Sequence, residues 1–264
     1  APMVLCLKTW KSRTLPGYLM IKNPKIPVVI LCGGKGSRFS KLNEMPKQLS
    51  LLNGKPLIMH IIDHFYNSGL NFIILPLGFK KKMFFKFFKS KINKKKYKFN
   101  LIKKIEEIST KNKNILLFDA KEKSNKLERI RKSLKFVRQD KFIATYGDGI
   151  SNVNIKSLLK FSNKSACTIT SYKAKSQYGH VIMNKKNILK KFVEKPYLNN
   201  PINIGFYVFN KNIILKNFSK KIDLEDGFLP MILKKINIYS YLHKGYFYSV
   251  DNAKDLEELK KKYV

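Results

Sequence analysis

The chain has 264 residues, 44% of them hydrophobic and 12% aromatic. That is enough for one large α/β domain with a sizeable core, and too apolar for intrinsic disorder. Its formal charge of +37 raises nucleic acid or an anionic membrane as partners, yet only Arg13, Arg38, Arg129, Arg131 and Arg138 among its basic residues are arginine, the side chain that base-edge and bidentate phosphate readout favours.

No apolar run approaches the roughly 18 residues that span a bilayer, so no membrane partner is expected. Cys6, Cys32 and Cys167 are scattered, with no C-x-x-C. They read as reduced thiols of a cytoplasmic protein, not as a disulfide framework or zinc site. Residues 1–19 stand apart. They hold the only tryptophan, Trp10, with Arg13, and an apolar run too short for a secretory signal. They read as a disordered or adventitious extension, with Met20 as the natural start and residues 20–264 as a single domain.

Residues 28–31, Val-Val-Ile-Leu, predict a strand buried on both faces, as in a parallel sheet. It breaks into Cys32-Gly33-Gly34-Lys35-Gly36-Ser37-Arg38. Three glycines in four residues let backbone N–H groups approach a ligand closely, and such a concavity at a strand's C-terminal end binds anions, usually phosphate. Lys35, Arg38 and, after Pro46, Lys47 add positive charge. The spacing is not that of a Walker loop, nor of the dinucleotide fingerprint, because Phe39 stands where the last glycine would be. Asn53-Gly54-Lys55-Pro56 predicts a turn, and apolar residues from Leu57 to Tyr66 recur at helical spacing up to Gly69. His60 and His64 lie four apart on that helix, a weak metal pair that reads better as packing or surface histidines.

Strands are then predicted at 72–77, 115–118 and 142–146, with helices at 80–88 and 126–137. This alternation implies a doubly wound, mostly parallel sheet. The basic run 80–104 interleaves Phe84, Phe85, Phe87 and Phe88. They could stack single-stranded bases, but the pattern fits a helix with a phenylalanine core face and solvated lysines better. The strand at 142–146 ends in Gly147-Asp148-Gly149. A carboxylate there overlies the ligand crevice of an open α/β sheet, so Asp148 reads as a metal ligand rather than a turn residue. The second half has shorter strand candidates at 166–173, 178–183, 188–193 and 202–209. Glu194-Lys195-Pro196 closes one of them, with Lys195 either a phosphate contact or part of a plain turn. A final strand, 246–251, ends in Asp251, and either Asp251 or Asn252 could cap the helix that follows.

The motifs VVILCGGKGSR, MPKQ, NGKPLI, LGFK, TYGDG, YGHV, FVEKP, NIGFYVFN and GYFYSVDNAKDLEEL resemble, in order and along nearly all of 27–260, those of the sugar-1-phosphate nucleotidyltransferases, most of all the glucose-1-phosphate cytidylyltransferase branch. The resemblance implies a Rossmann-like core over 27–150 that binds nucleotide, and an added β-rich portion over 151–264 that binds sugar phosphate. It implies CTP and a sugar 1-phosphate as substrates, Mg²⁺ as cofactor and a homo-oligomer; nucleic acid is not expected as a partner. Carried over residue by residue, the triphosphate loop falls on Leu31, Gly33, Gly34, Lys35, Gly36, Ser37 and Arg38, with Gly147 beside it. The nucleotide-phosphate lysine falls on Lys47 and the metal carboxylates on Asp148 and Asp251. Lys195 takes the sugar phosphate, while Gly179, Glu194, Asn203 and Gly205 lie at the sugar. Arg38, Lys47, Asp148 and Lys195 form the implied catalytic set. The family's small glycine-rich stretch before the third helix, near the base, is here Lys121-Glu122-Lys123-Ser124-Asn125-Lys126, without glycine. The base therefore stays open: GTP, UTP or dTTP, or another acceptor phosphate, are alternatives. A basic nucleic-acid-binding protein on this scaffold is the rival of a different class.

Overall fold

The structure, a computed structural model, describes residues 26–34, 45–92, 98–102, 105–110 and 113–262. The extension 1–19, Met20 and the loop residues Lys35, Gly36, Ser37 and Arg38 lie outside the described residues.

The first half runs β1 (Val28–Leu31), β2 (Leu51–Leu52), β3 (Lys55–Pro56), α1 (Leu57–Asn67), β4 (Phe72–Leu77), α2 (Lys81–Ile92), β5 (Lys98–Ile102), β6 (Ile105–Thr110), β7 (Lys113–Asp119), α3 (Lys126–Ser133) and β8 (Lys141–Tyr146). The second runs β9 (Gly149–Ser151), α4 (Ile155–Phe161), β10 (Cys167–Tyr172), β11 (His180–Met183), β12 (Leu189–Val193), β13 (Ile202–Asn210), α5 (Lys211–Asn217), α6 (Leu229–Leu233), β14 (Tyr239–His243), β15 (Phe247–Ser249) and α7 (Ala253–Lys262). One nine-stranded sheet, in the order β14-β10-β13-β8-β1-β4-β7-β6-β5, carries the molecule. Its centre, β8-β1-β4-β7, is parallel. Only β13 and β6 run against the other strands.

β1 is buried at every residue, as its unbroken apolar run predicts. Alternation sends Val28 and Ile30 into one core and Val29 and Leu31 into the other. The first core also takes Ile58, Ile61, Ile62 and Phe65 of α1, Phe84 and Phe88 of α2, and Leu256 and Leu259 of α7. The second takes Leu127 and Ile130 of α3, Ile214 of α5 and Ile232 of α6. Phe84 and Phe88 are 1% and 2% exposed, so this face of α2 is core, with Phe85 and Phe87 partly buried against it. Among the described residues no helix is long and apolar enough to cross a membrane.

Several elements escape the sequence pattern. β5 and β6 extend the sheet edge at and just past the end of the basic run; β5 is short and lysine-flanked, and the Glu106-Glu107 pair of β6 breaks its alternation. α3 stops at Ser133 and tightens into a 3₁₀ turn, Leu134–Phe136, before the expected end of the helix. Asn53-Gly54 makes more than a turn: both residues have positive φ, 49° and 75°, the requirement of a two-residue hairpin joining β2 to β3.

Candidate active site

Chain order in the sheet reverses at β1. Successive strands β1, β4 and β7 step to one side, and β8 then returns to the other. Ligand crevices of open α/β sheets lie at such switch points, outside the strands' C-terminal ends. Leu31 pairs with Tyr146 there, so Gly33-Gly34 and Gly147-Asp148 emerge side by side. Gly147 N–H donates to Leu31 O over 3.2 Å. A Cβ on Gly147 would lie 2.8 Å from Cys32 Sγ and 3.1 Å from Leu31 O, so only glycine lets the two strand ends close up.

Asp148 and Asp251 stand 103 positions apart in sequence and meet through a ribbon. β9 pairs antiparallel with β15, Gly149 opposite Ser249, and Val250 N–H donates to Asp148 O over 3.1 Å. Lys47, at the start of the 3₁₀ turn Lys47–Leu49, reaches into the gap. Its Nζ lies 2.7 Å from Asp148 Oδ2 and 3.4 Å from Asp251 Oδ1. Those contacts bound the separation of the two carboxylate oxygens at about 6 Å. Lys47 is nearly buried while Asp251 is half exposed. Ser249 Oγ donates to Asp251 Oδ2 over 3.0 Å. The helix-capping alternative for Asp251 falls to its neighbour: Asn252 Oδ1 accepts from Asp255 N–H, and Asp255 Oδ2 accepts from Asn252 N–H, both at 3.0 Å. Asp251 is thus left for the crevice.

Two carboxylates gathered around one positive centre, both open to solvent, are a donor set that fits Mg²⁺. Among the described residues no group of three His, Cys, Asp or Glu side chains converges on such a point, so phosphate oxygens would complete the coordination, as is usual for this ion. The histidine pair of α1 is no metal site. His60 Nε2 lies 3.0 Å from Leu52 O, and His64 is half-buried against Phe65 and Phe206.

Arg129 escaped the sequence reading. It is 4% exposed on α3, beneath the glycine loop. Nη2 donates to Gly33 O (3.0 Å) and Glu122 O (3.1 Å), Nε to Ser124 O (3.0 Å) and Nη1 to Pro76 O (3.5 Å). A Cβ on Gly33 would sit 1.8 Å from its Nη1, and one on Gly78 2.4 Å away. These glycines make room for a guanidinium that props the loop from below. Burial pulls its pKa below the usual range, opposed by surrounding negative groups. Its signal in the sequence is rarity: it is one of five arginines among 54 basic residues. The glycine-free stretch 121–126 folds with Lys121 at φ 75°, taking a left-handed position without glycine, and Asn125 caps α3 through Glu128 N–H (2.8 Å).

The predicted sugar-side residues fall into two groups. Gly179, Glu194 and Lys195 sit together at the base of the hairpin β11–β12. A Cβ on Gly179 would lie 2.9 Å from Glu194 Oε2, and Lys195, at φ 43°, has its Nζ 3.9 Å from Glu194 Oε1. Both side chains are exposed, and none of the described contacts takes this group to Asp148 or Asp251. Asn203 and Gly205 instead lie on β13 beside the end of β8. Gly205, at φ 76°, would drive a Cβ into the Tyr146 ring.

The family described as "Nucleotidyl transferase" matches residues 27–263. A probable glucose-1-phosphate cytidylyltransferase of Bacillus subtilis is 30% identical over 88% of this chain and 94% of its own length. Mannose-1-phosphate guanylyltransferase 1 of Arabidopsis thaliana is 25% identical over 86% of this chain and 62% of its own. Among solved structures, HddC from Yersinia pseudotuberculosis superposes with a TM-score of 0.67 at 23% identity, over 91% of this chain and all of that one. The match of the family over 27–263, with a relative 30% identical over most of both chains, places the chain in the nucleotidyl transferase family.

Proposed function

We infer that this nucleotidyltransferase moves CMP from CTP to a sugar 1-phosphate, with glucose 1-phosphate the acceptor, and releases pyrophosphate. The observation that carries the reading is the meeting of Lys47, Asp148 and Asp251 at the switch point, next to the glycine loop. An oxygen of the sugar phosphate attacks the α-phosphorus of the nucleotide in line. The bond from that phosphorus to the bridging oxygen of the β-phosphate breaks, and its electron pair leaves with pyrophosphate. No general base is needed, because the attacking phosphate is already ionised. Two anions must be brought together, so the protein's work is positioning and charge neutralisation.

Asp148 and Asp251 would hold Mg²⁺, which when bound neutralises phosphate charge. Lys47, released from the carboxylates, turns its ammonium to the triphosphate. Arg38 adds a second cation from the glycine loop. Lys195, on the exposed hairpin, takes the acceptor's phosphate. Choice of CTP is supported by the cytidylyltransferase relative and by TYGDG and NIGFYVFN. The guanylyltransferase relative favours GTP with a different sugar as the second reading, and the glycine-free 121–126 turn leaves the base open. Pyrophosphate release across four NTPs and a panel of sugar 1-phosphates separates them. CTP with glucose 1-phosphate should give the highest kcat/KM; a clear GTP preference would replace this reading, and no release with any pair would remove both.

A further inference from the structure

Behind Asn203 runs a chain of polar groups that the reaction does not by itself call for. Tyr207, on β13, is fully buried. Its hydroxyl lies 2.6 Å from Asn203 Nδ2, 2.9 Å from Tyr146 Oη and 3.1 Å from Glu225 Oε1. A phenol has one proton to donate and two lone pairs. An ionised Glu225 can only accept, so the phenol's proton goes to it. The lone pairs are left for Asn203 Nδ2–H and the Tyr146 hydroxyl.

Two further facts fix that direction. Burial pushes Tyr207 up to about 12, so the phenol keeps its proton. Lys126 is ion-paired with Glu225, and Lys126 Nζ lies 3.6 Å from Asp223 Oδ2, so a cation already faces the carboxylate that accepts from the phenol. Partial burial works most strongly against the Lys126 charge, but its bond to Glu225 and the nearby negative groups together outweigh this and raise its pKa. At the other end of the amide, Gly205 N–H donates to Asn203 Oδ1 over 3.0 Å. Rotating the amide by half a turn would set Asn203 Oδ1 against a phenol with no proton to give, and Nδ2 against a backbone N–H. Both bonds would be lost. Asn203 is nevertheless exposed, on β13 next to β8, the strand that leads into Asp148. One Nδ2–H and one Oδ1 lone pair are left over by these bonds.

We propose that Tyr207 is a positioning residue for the acceptor: its hydroxyl, directed by Glu225, holds the Asn203 amide in one orientation so that it offers a donor and an acceptor side by side to two neighbouring hydroxyls of the sugar. The inference rests on the reading of Asn203 as a sugar-facing residue. A buried tyrosine that only packs would leave acceptor binding unchanged when its hydroxyl is removed.

The test is steady-state kinetics with CTP and glucose 1-phosphate. Tyr207→Phe keeps the ring and removes the hydroxyl. It should raise the KM for glucose 1-phosphate about tenfold, the size of one hydrogen bond's contribution, with kcat and the KM for CTP within about twofold. Asn203→Ala should raise the same KM at least as much, and the double variant should be no worse than Asn203→Ala alone, because the two residues act as a unit. Glu225→Leu leaves Tyr207 intact and removes its acceptor together with one partner of Lys126, which keeps Asp223; it should raise the same KM, and it decides the matter should Tyr207→Phe not fold. Additive effects in the double variant, a normal acceptor KM in Tyr207→Phe beside a raised one in Asn203→Ala, or an equal rise in the KM for CTP would each overturn the proposal. A normal acceptor KM in Asn203→Ala would instead remove the reading on which it rests.

Discussion

Asp148, Asp251 and Lys47 form one unit, yet each has an ordinary explanation alone, and their weight comes from meeting. Asp148→Asn and Asp251→Asn should each lower turnover by about 10²-fold or more, as loss of a developing-charge stabiliser does, with the melting temperature little changed. A plain turn residue predicts retained activity, so a normal rate in Asp148→Asn would return it to that role. Arg129 is the opposite case: its bonds go to four backbone carbonyls, and its variant should show in stability first. Arg129→Met leaves buried acceptors without donors, at about 1–3 kcal/mol each before relaxation. A loss of several degrees in melting temperature, with any residual activity tracking the folded fraction, is the expected result. Asp148 was legible because a strand pattern and two glycines announced it. Arg129 was not, because nothing local in a helix with two lysines and two arginines says which cation points inward.

At the scale of elements, the sequence carries its strongest pattern where both sheet faces are covered. β1, β4 and β8 are near-continuous apolar runs and are read directly; β5 and β6 lie among lysines at the edge and are not. The β9–β15 ribbon is illegible for another reason: its strands have three residues each, and their partnership is non-local. Two histidines back this ribbon, His243 buried and His64 half-buried. His243 Nε2 lies 3.3 Å from Ser151 Oγ and 3.1 Å from Tyr246 O, and His64 Nε2 is buried with no hydrogen-bond partner. Burial lowers the pKa of both. Below about pH 6.5 the unfolded chain therefore binds protons that the folded one refuses. Stability should be full above that pH and fall as the pH drops below it. Thermal melts between pH 7.5 and 5.5 should show this decline, and His64→Phe, which suits the Phe65–Phe206 surroundings, should reduce it. An unchanged slope in that variant would exclude His64 as the source.

Over the whole molecule, a charge of +37 works against compaction and in favour of anionic ligands. Raising the salt from about 20 to about 300 mM shortens the screening length to well under 10 Å. The melting temperature should rise with this screening, while the KM values for both anionic substrates rise as well. A melting temperature that falls with salt would mean that the ion pairs, such as Lys47 with Asp148, outweigh the excess of lysine.

The place of Asp251 along the chain separates the making of the fold from the making of the site. The nine-stranded sheet receives its last member, β14, at His243. The second carboxylate arrives only with the next few residues, on a ribbon that adds nothing to that sheet. A chain emerging from the ribosome thus has every strand of this sheet before Asp251 can stand beside Lys47 and Asp148. On the proposed reading of Asp251 as the second metal carboxylate, a nascent chain with this sheet complete would still lack half of the acidic pair at the crevice.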